Sequence, residues 1–259
     1  MELFYTIFIC FIAGAGAGLG TGFAGMSAAV AISPMLIAFL GMDPYAAVGI
    51  ALASDVLASA ISAYTYGRNK NLDIKNGLAM MLTVMAFTLV GSWVASLLPD
   101  TTMGNFSMFT TLLMGLKFIL QPVNTTKEAM AQADPKKRLI KSMIWGAIIG
   151  YICGFVGAGG GMMMLLVLTT VLGYELKTAV GTSVFIMSFT ALTGAVSHFA
   201  IDGSPDWLVL GVCVASTLLW AQIGARFANK ADTKTLNRAT GLILVLLSCA
   251  VLAVEFFVK

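Results

Sequence analysis

The sequence predicts an all-α polytopic membrane protein, built as an inverted repeat of two five-segment halves. Three observations predict it. The 259 residues are 59% hydrophobic and only 10% charged, with a mean hydropathy of +0.92. A soluble domain carries roughly 25% charged residues, so lipid must be the solvent for much of this chain. Charge is absent from residues 3–42 and again from 142–174. Either stretch exceeds the ~20 apolar residues that cross about 30 Å of hydrocarbon. Glycine supplies the third observation. Gly14, Gly18, Gly22, Gly25, Gly41 and Gly49 meet Gly146, Gly150, Gly154, Gly157, Gly173 and Gly181, each 132 residues later. Only nine glycines precede residue 70, so six matches far exceed chance. The flanks agree: Gly22-Phe23-Ala24-Gly25 meets Gly154-Phe155-Val156-Gly157, and Ala47-Val48-Gly49 meets Ala179-Val180-Gly181. Gly91 meets Gly224 after a one-residue slip. Such duplication marks transporters built from repeats.

The elements follow in order. Met1-Glu2-Leu3 lacks a basic n-region and the apolar run after it shows no clear cleavage site. Residues 3–21 therefore read as a first membrane segment and not a removable signal. Segments at 26–41, 45–66, 76–98 and 103–121 complete the first repeat, residues 1–121. Residues 122–141 are polar and carry Asp134-Pro135-Lys136-Lys137-Arg138, which reads as a connecting loop. The second repeat, 142–259, has segments at 142–157, 159–172, 178–200, 207–227 and 239–256. Eight to ten transmembrane segments result, some short or broken. The first two segments of each half either cross or fold back as a shallow hairpin. Crossings per half stay odd in both cases, so the second half is inverted.

Loop charge sets the orientation. Arg68, Lys70 and Lys75 mark one cytoplasmic loop. The central loop has Lys127, Lys136, Lys137, Arg138 and Lys141, and a third has Arg226, Lys230, Lys234 and Arg238. The intervening loops carry Asp43, Asp100, Asp202 and Asp206. The N-terminus is expected outside the cell membrane and the central loop inside. Only Lys259 breaks the pattern.

The second segment of each half is short and follows a glycine cluster, the denser being Gly157-Ala158-Gly159-Gly160-Gly161. Short, glycine-interrupted segments at matching positions point to a midplane binding site. Glycine lets the backbone leave helical geometry and approach a ligand, and free amides at a helix N-terminus attract an anion without any fixed cation. Gly22, Gly25, Gly157, Gly159, Gly160 and Gly161 are the backbone candidates. Close helix packing competes for Gly14, Gly18, Gly22 and their partners, which form small-xxx-small faces. Ser27, Ser54, Thr182 and Ser183 offer hydroxyls, against the competing bond to their own helix backbone. Asp55 lies about ten residues from either end of its segment, where an acid costs about 2.5–3.5 kcal/mol on insertion scales. It is a candidate proton site, expected to be protonated or off the anion path. His198, the single histidine, is a helix-end anchor or a gating residue, and Gln222 is a weaker polar-lining candidate. Cys10, Cys153, Cys213 and Cys249 lie in apolar spans with no C-x-x-C and read as small buried hydrophobes.

Together these residues resemble the TauE/SafE family of sulfite exporter-like permeases. The resemblance lies in Gly154 to Gly161 and Ala179-Val180-Gly181-Thr182-Ser183. It continues through His198-Phe199-Ala200, Asp206-Trp207 and Gly224-Ala225-Arg226, and covers nearly the whole chain. It implies a prokaryotic cytoplasmic membrane and a sulfite-like oxyanion, an organosulfur anion or a small carboxylate as substrate. In the first half Met26-Ser27-Ala28 replaces glycines and Ile50-Ala51 replaces Thr-Ser.

Voltage favours export, since one charge crossing 100 mV is worth about 2.3 kcal/mol. A cation or metal transporter is the alternative, although metal sites need clustered acids, His or Cys. Enzymatic hydrolysis would have to use His198 with no nucleophile motif beside it, so no enzyme is expected. The sequence calls for no cofactor and no nucleic-acid partner. The expected partners are the anion and the bilayer, and a homodimer is allowed but not specified.

Overall fold

A computed structural model describes residues 2–95, 105–132, 134–156, 160–202 and 204–258. Among them the chain forms helices and no strand. In order these are α1 (Glu2–Ala24), α2 (Ala29–Leu40), α3 (Pro44–Arg68), α4 (Ile74–Ala95), α5 (Asn105–Leu120), α6 (Lys127–Ala131), α7 (Pro135–Val156), α8 (Gly160–Thr170), α9 (Leu176–Asp202), α10 (Trp207–Lys230) and α11 (Thr233–Val258). Six, namely α1, α3, α4, α9, α10 and α11, are long and apolar enough to cross a membrane. The 12 residues of α2 and the 11 of α8 reach only about 16–18 Å at 1.5 Å per residue, well short of the bilayer core.

Local chemistry sets the boundaries. Asp43 accepts from the Tyr45 and Ala46 amides at 2.9 and 3.2 Å and Pro44 follows as the first helical residue, a favoured start for α3. Asp206 does the same for α10 through Leu208 and Val209. Both short helices end on a left-handed glycine: Gly41 at φ +60° after α2 and Gly173 at φ +64° after α8. The amide that follows each of these glycines returns to the helix, Met42 to Leu36 and Tyr174 to Leu168, as in a Schellman motif. One boundary differs from expectation. Helix α7 starts at Pro135, so the last seven residues of the expected connecting loop 122–141 are helical. Asp134 caps it by accepting from the Lys136 amide at 2.9 Å, with Pro135 at the first helical position.

Glycine contacts give the direction of each helix pair. Along α1, Gly14, Gly18 and Gly22 abut Cys213 and Ser216, then Thr217 and Ala221, then Gly224 and Ala225 of α10, so these helices run parallel. Gly146 and Gly150 of α7 abut Met80 and then Val84 of α4, again parallel. By contrast, α3 and α9 are antiparallel: Gly49 meets His198, Gly194 meets Leu52, and Gly181 meets Tyr66. Helices α5 and α11 also oppose, Gly115 lying on Val245 and Ile119 on Gly241. The rim between them is apolar and faces outward, with Phe4, Leu82, Leu89 and Val196 exposed, as lipid requires.

Candidate functional site

Two chain breaks meet inside the bundle. Helix α1 stops at Ala24, Gly25 takes φ +62°, and residues 25–28 turn into α2. From the other half, α8 begins at Gly160. A Cβ on Gly161 would strike the Gly25 carbonyl oxygen and would lie 2.6 Å from Met187 Sδ and 3.2 Å from the Ser27 nitrogen. Two backbones can approach this closely only without side chains between them.

Beside this crossing lies a cavity of ≈ 140 Å³, walled by Ser27, Asp55, Thr88, Cys153, Gly160 and Met187 among others. A drug-sized ligand needs roughly 300–1,000 Å³, whereas a four- or five-atom oxyanion fits. Two larger hollows, ≈ 540 Å³ between α3 and α9 and ≈ 390 Å³ between α4 and α7, are lined largely by apolar side chains on the outer rim, such as Tyr64 and Phe189 or Phe87 and Val90. They read as lipid-facing grooves.

Asp55 is 1% exposed. Ser27 donates to its Oδ2 at 2.8 Å and Ser59 to its Oδ1 at 2.8 Å. The carboxyl thus sits at the N-terminus of α2, where the helix dipole and free amides favour negative charge. The position equivalent to Asp55 in the second half, 132 residues on, is Met187. Met187 lines the cavity near the first turn of α8, so no acid stands where one stands for α2.

The candidate residues fall into three groups. Ser27, Asp55, Gly160 and Gly161 line the cavity. Gly25 and Ser183 form the layer behind it: Ser183 donates to the Gly161 carbonyl at 3.3 Å and its Oγ lies 3.1 Å from where a Gly25 Cβ would be. The remaining candidates are elsewhere. Gly22 is in the α1–α10 seam, Ser54 donates to its own helix at Ile50, and Thr182 accepts from the Asp73 amide at 3.2 Å. His198 is at a bundle end, its ring stacked 4.0 Å from Tyr45 and its Nδ1 3.1 Å from the Tyr45 carbonyl. Gly157 and Gly159 lie outside the described residues.

Sequence reading passed over Ser59, Cys153, Thr88 and Thr190. Ser59 stood four residues from Asp55, on the same helical face. Cys153, read as a buried hydrophobe, borders Gly160, whose Cβ would be 3.0 Å from its sulfur. Thr88 and Thr190 bond their own helices at Val84 and Met187, which hides any other role from sequence.

The family profile described as "Sulfite exporter TauE/SafE" matches residues 10–251. "Probable membrane transporter protein YunE" of Bacillus subtilis is 26% identical over 90% of this chain and 89% of its own length. "Probable membrane transporter protein ORF9" of a Sinorhizobium species is 24% identical over 96% of this chain and 94% of its own. A third relative, "Probable membrane transporter protein YdhB" of Bacillus subtilis, is 25% identical over 82% of this chain and 86% of its own. No solved structure matches the chain.

Proposed function

This chain belongs to the sulfite exporter TauE/SafE family of membrane transporters, which are not enzymes, and from that premise we propose that it carries a small oxyanion across the membrane. The cargo is sulfite-like, or a small organosulfur or carboxylate anion. It binds in the cavity against the first turn of α8 and moves by alternating access between two inverted halves. One observation carries this reading. A carboxyl group, Asp55, stands beside the N-terminus of α2, held there by Ser27, whereas its repeat counterpart α8 faces the cavity with Met187 in the matching place. The substrate anion takes the position opposite α8 that Asp55 holds opposite α2.

Helix directions support inversion. Helices α3 and α9 are repeat counterparts and antiparallel, as are α5 and α11. Helix α1 pairs in parallel with α10 just as its counterpart α7 pairs with α4. Exchanging the conformations of the halves would then open the opposite face. Outward flux is the direction an inside-negative potential favours. Even a dianion leaving with one proton on Asp55 moves one net charge, worth about 2.3 kcal/mol per 100 mV.

The test places an acid where the substrate sits. Met187→Asp should abolish sulfite binding to the purified protein and sulfite flux in proteoliposomes, because its carboxylate satisfies α8 itself. Met187→Asn, of nearly the same size, should weaken both far less. Equal losses in the two variants would sink the proposed site. A metal cation is the competing cargo, since Asp55 shares its cavity with Cys153, Met164 and Met187. A melting temperature raised by a transition metal and unmoved by sulfite would favour it.

A further inference from the structure

The spacing that pairs Gly49 with Gly181 also pairs Tyr66 with His198. These two rings occupy opposite ends of the α3–α9 pair, and each packs on the glycine at the matching position of the other helix. A Cβ on Gly49 would lie 3.1 Å from His198 Cβ, and one on Gly181 would lie 2.8 Å from Tyr66 Cβ. The two ends differ in state. His198 is half-buried, and the α4 and α7 walls of the cavity, Val84, Thr88 and Cys153, lie on its side of mid-depth. Tyr66 has no exposure at all, and its Oη donates to the Gly22 carbonyl at 2.8 Å, tying α3 to the last turn of α1.

A buried polar stripe leads down α3 from the cavity to that ring. Asp55, Ser59 and Ser62 are four and three residues apart and so share a face, and none is more than 1% exposed. Ser59 donates to Asp55. Ser62 Oγ is buried without a hydrogen-bond partner, a condition that native interiors rarely tolerate. Its counterparts on α9 are instead Met187, Ala191 and Gly194, so the packing shared by the halves does not call for hydroxyls here. Next to Tyr66, Thr65 Oγ1 lies 2.9 Å from the Gln222 side chain of α10. With that amide oriented to satisfy both ends, Gln222 accepts from Arg226 Nε at 2.7 Å. The stripe therefore ends beside a guanidinium, which concentrates anions at a mouth.

We propose that Tyr66 is the closed gate of a second half-path, which runs from Asp55 past Ser59 and Ser62 to Arg226 and carries the same small oxyanion. Ser62 is left without a partner here because the path it lines is shut. When the Tyr66 ring leaves Gly181 and Gly22, the hydroxyls of Ser59 and Ser62 face the anion, and the His198 end closes in turn. The inference rests on the alternating-access reading above.

Accessibility tests it. In a chain whose four cysteines are replaced, Ser62→Cys and Thr190→Cys are each exposed to a membrane-impermeant, negatively charged thiosulfonate from one membrane face at a time. Ser62→Cys should react only from the α3 C-terminal face and Thr190→Cys faster from the opposite face. Adding Tyr66→Ala should raise the Ser62→Cys rate about tenfold or more by shifting the open population, and slow the reaction of Thr190→Cys from the opposite face. Tyr66→Phe keeps the ring, loses the Gly22 bond and should fall between. A Ser62→Cys rate indifferent to Tyr66→Ala in a protein that still transports overturns the gate. So does reaction from the same face as Thr190→Cys. Flux separates the two readings: a protein that carries no tested anion yet shows the Tyr66-dependent rate refutes the anion assignment and leaves the gate standing.

Discussion

Asp55 shows how a buried acid is held by neighbours that only partly announce themselves. The acid was legible because nothing else charged occupies the middle of its segment. Ser59 was legible in principle as its i+4 neighbour, whereas Ser27 is 28 residues distant and reaches it only because α1 breaks at Gly25. The two serines are not equivalent. Ser27 borders the cavity, where water can replace a lost hydroxyl, while Ser59 has no exposure. Ser59→Ala should therefore cost about 1–3 kcal/mol, the penalty of an unsatisfied buried polar atom, and Ser27→Ala clearly less. Thermal unfolding in one detergent compares them, and equal losses would mean that the cavity is dry. Asp55→Asn keeps the shape and removes the titrating proton. If Asp55 couples protons to transport, the variant's flux should lose its dependence on pH. An unchanged pH profile would remove that role.

At the scale of elements, periodic signals were read well and end signals less well. Charge-free runs located ten helices because lipid leaves little choice of composition. The start of α7 was missed although Asp134-Pro135 is an N-cap followed by a favoured first residue, because the lysines after it read as loop. Acids such as Asp43 and Asp206, read as marks of an outer loop, are also helix caps. The glycines fall into two kinds that sequence cannot separate. Gly41 has φ +60° and nothing within 4 Å of an added Cβ, so Gly41→Ala should cost only the left-handed penalty, about 1–2 kcal/mol. On Gly18 a Cβ would meet the Thr217 oxygen at 2.5 Å and the Ala221 nitrogen at 2.8 Å. Backbone cannot yield as a side chain does, so Gly18→Ala should force α1 off α10 and cost more, about 1–3 kcal/mol or above. Melting temperatures of the two variants should rank in that order, and the reverse order would contradict the close α1–α10 seam.

Over the whole molecule, helix direction gathers the basic residues at one end. Lys127 donates to the Lys70 carbonyl, Lys177 to that of Asn229, and Arg138 lies over the Tyr174 ring at 5.3 Å. The central loop, the α3–α4 turn and the α10–α11 turn thus share a face, while Asp43, Asp206 and His198 share the other. The repeat made this legible, since 132-residue spacing fixed which helices correspond. The convergence of Ser27, Asp55 and Gly161 was not legible, because it depends on how deeply two short helices reach. Positive loops stay on the cytoplasmic side, so the basic end and the Tyr66 gate should be internal and the cavity should face outward. Cys153 lies in that cavity, Cys10 and Cys213 are buried, and Cys249 is exposed within the apolar span of α11. In intact cells an impermeant thiol reagent should therefore modify Cys153, and sulfite added outside should slow the reaction. Protection by sulfite only from the cytoplasmic face of inverted vesicles would reverse the orientation, and with it the end of the transporter at which Tyr66 stands.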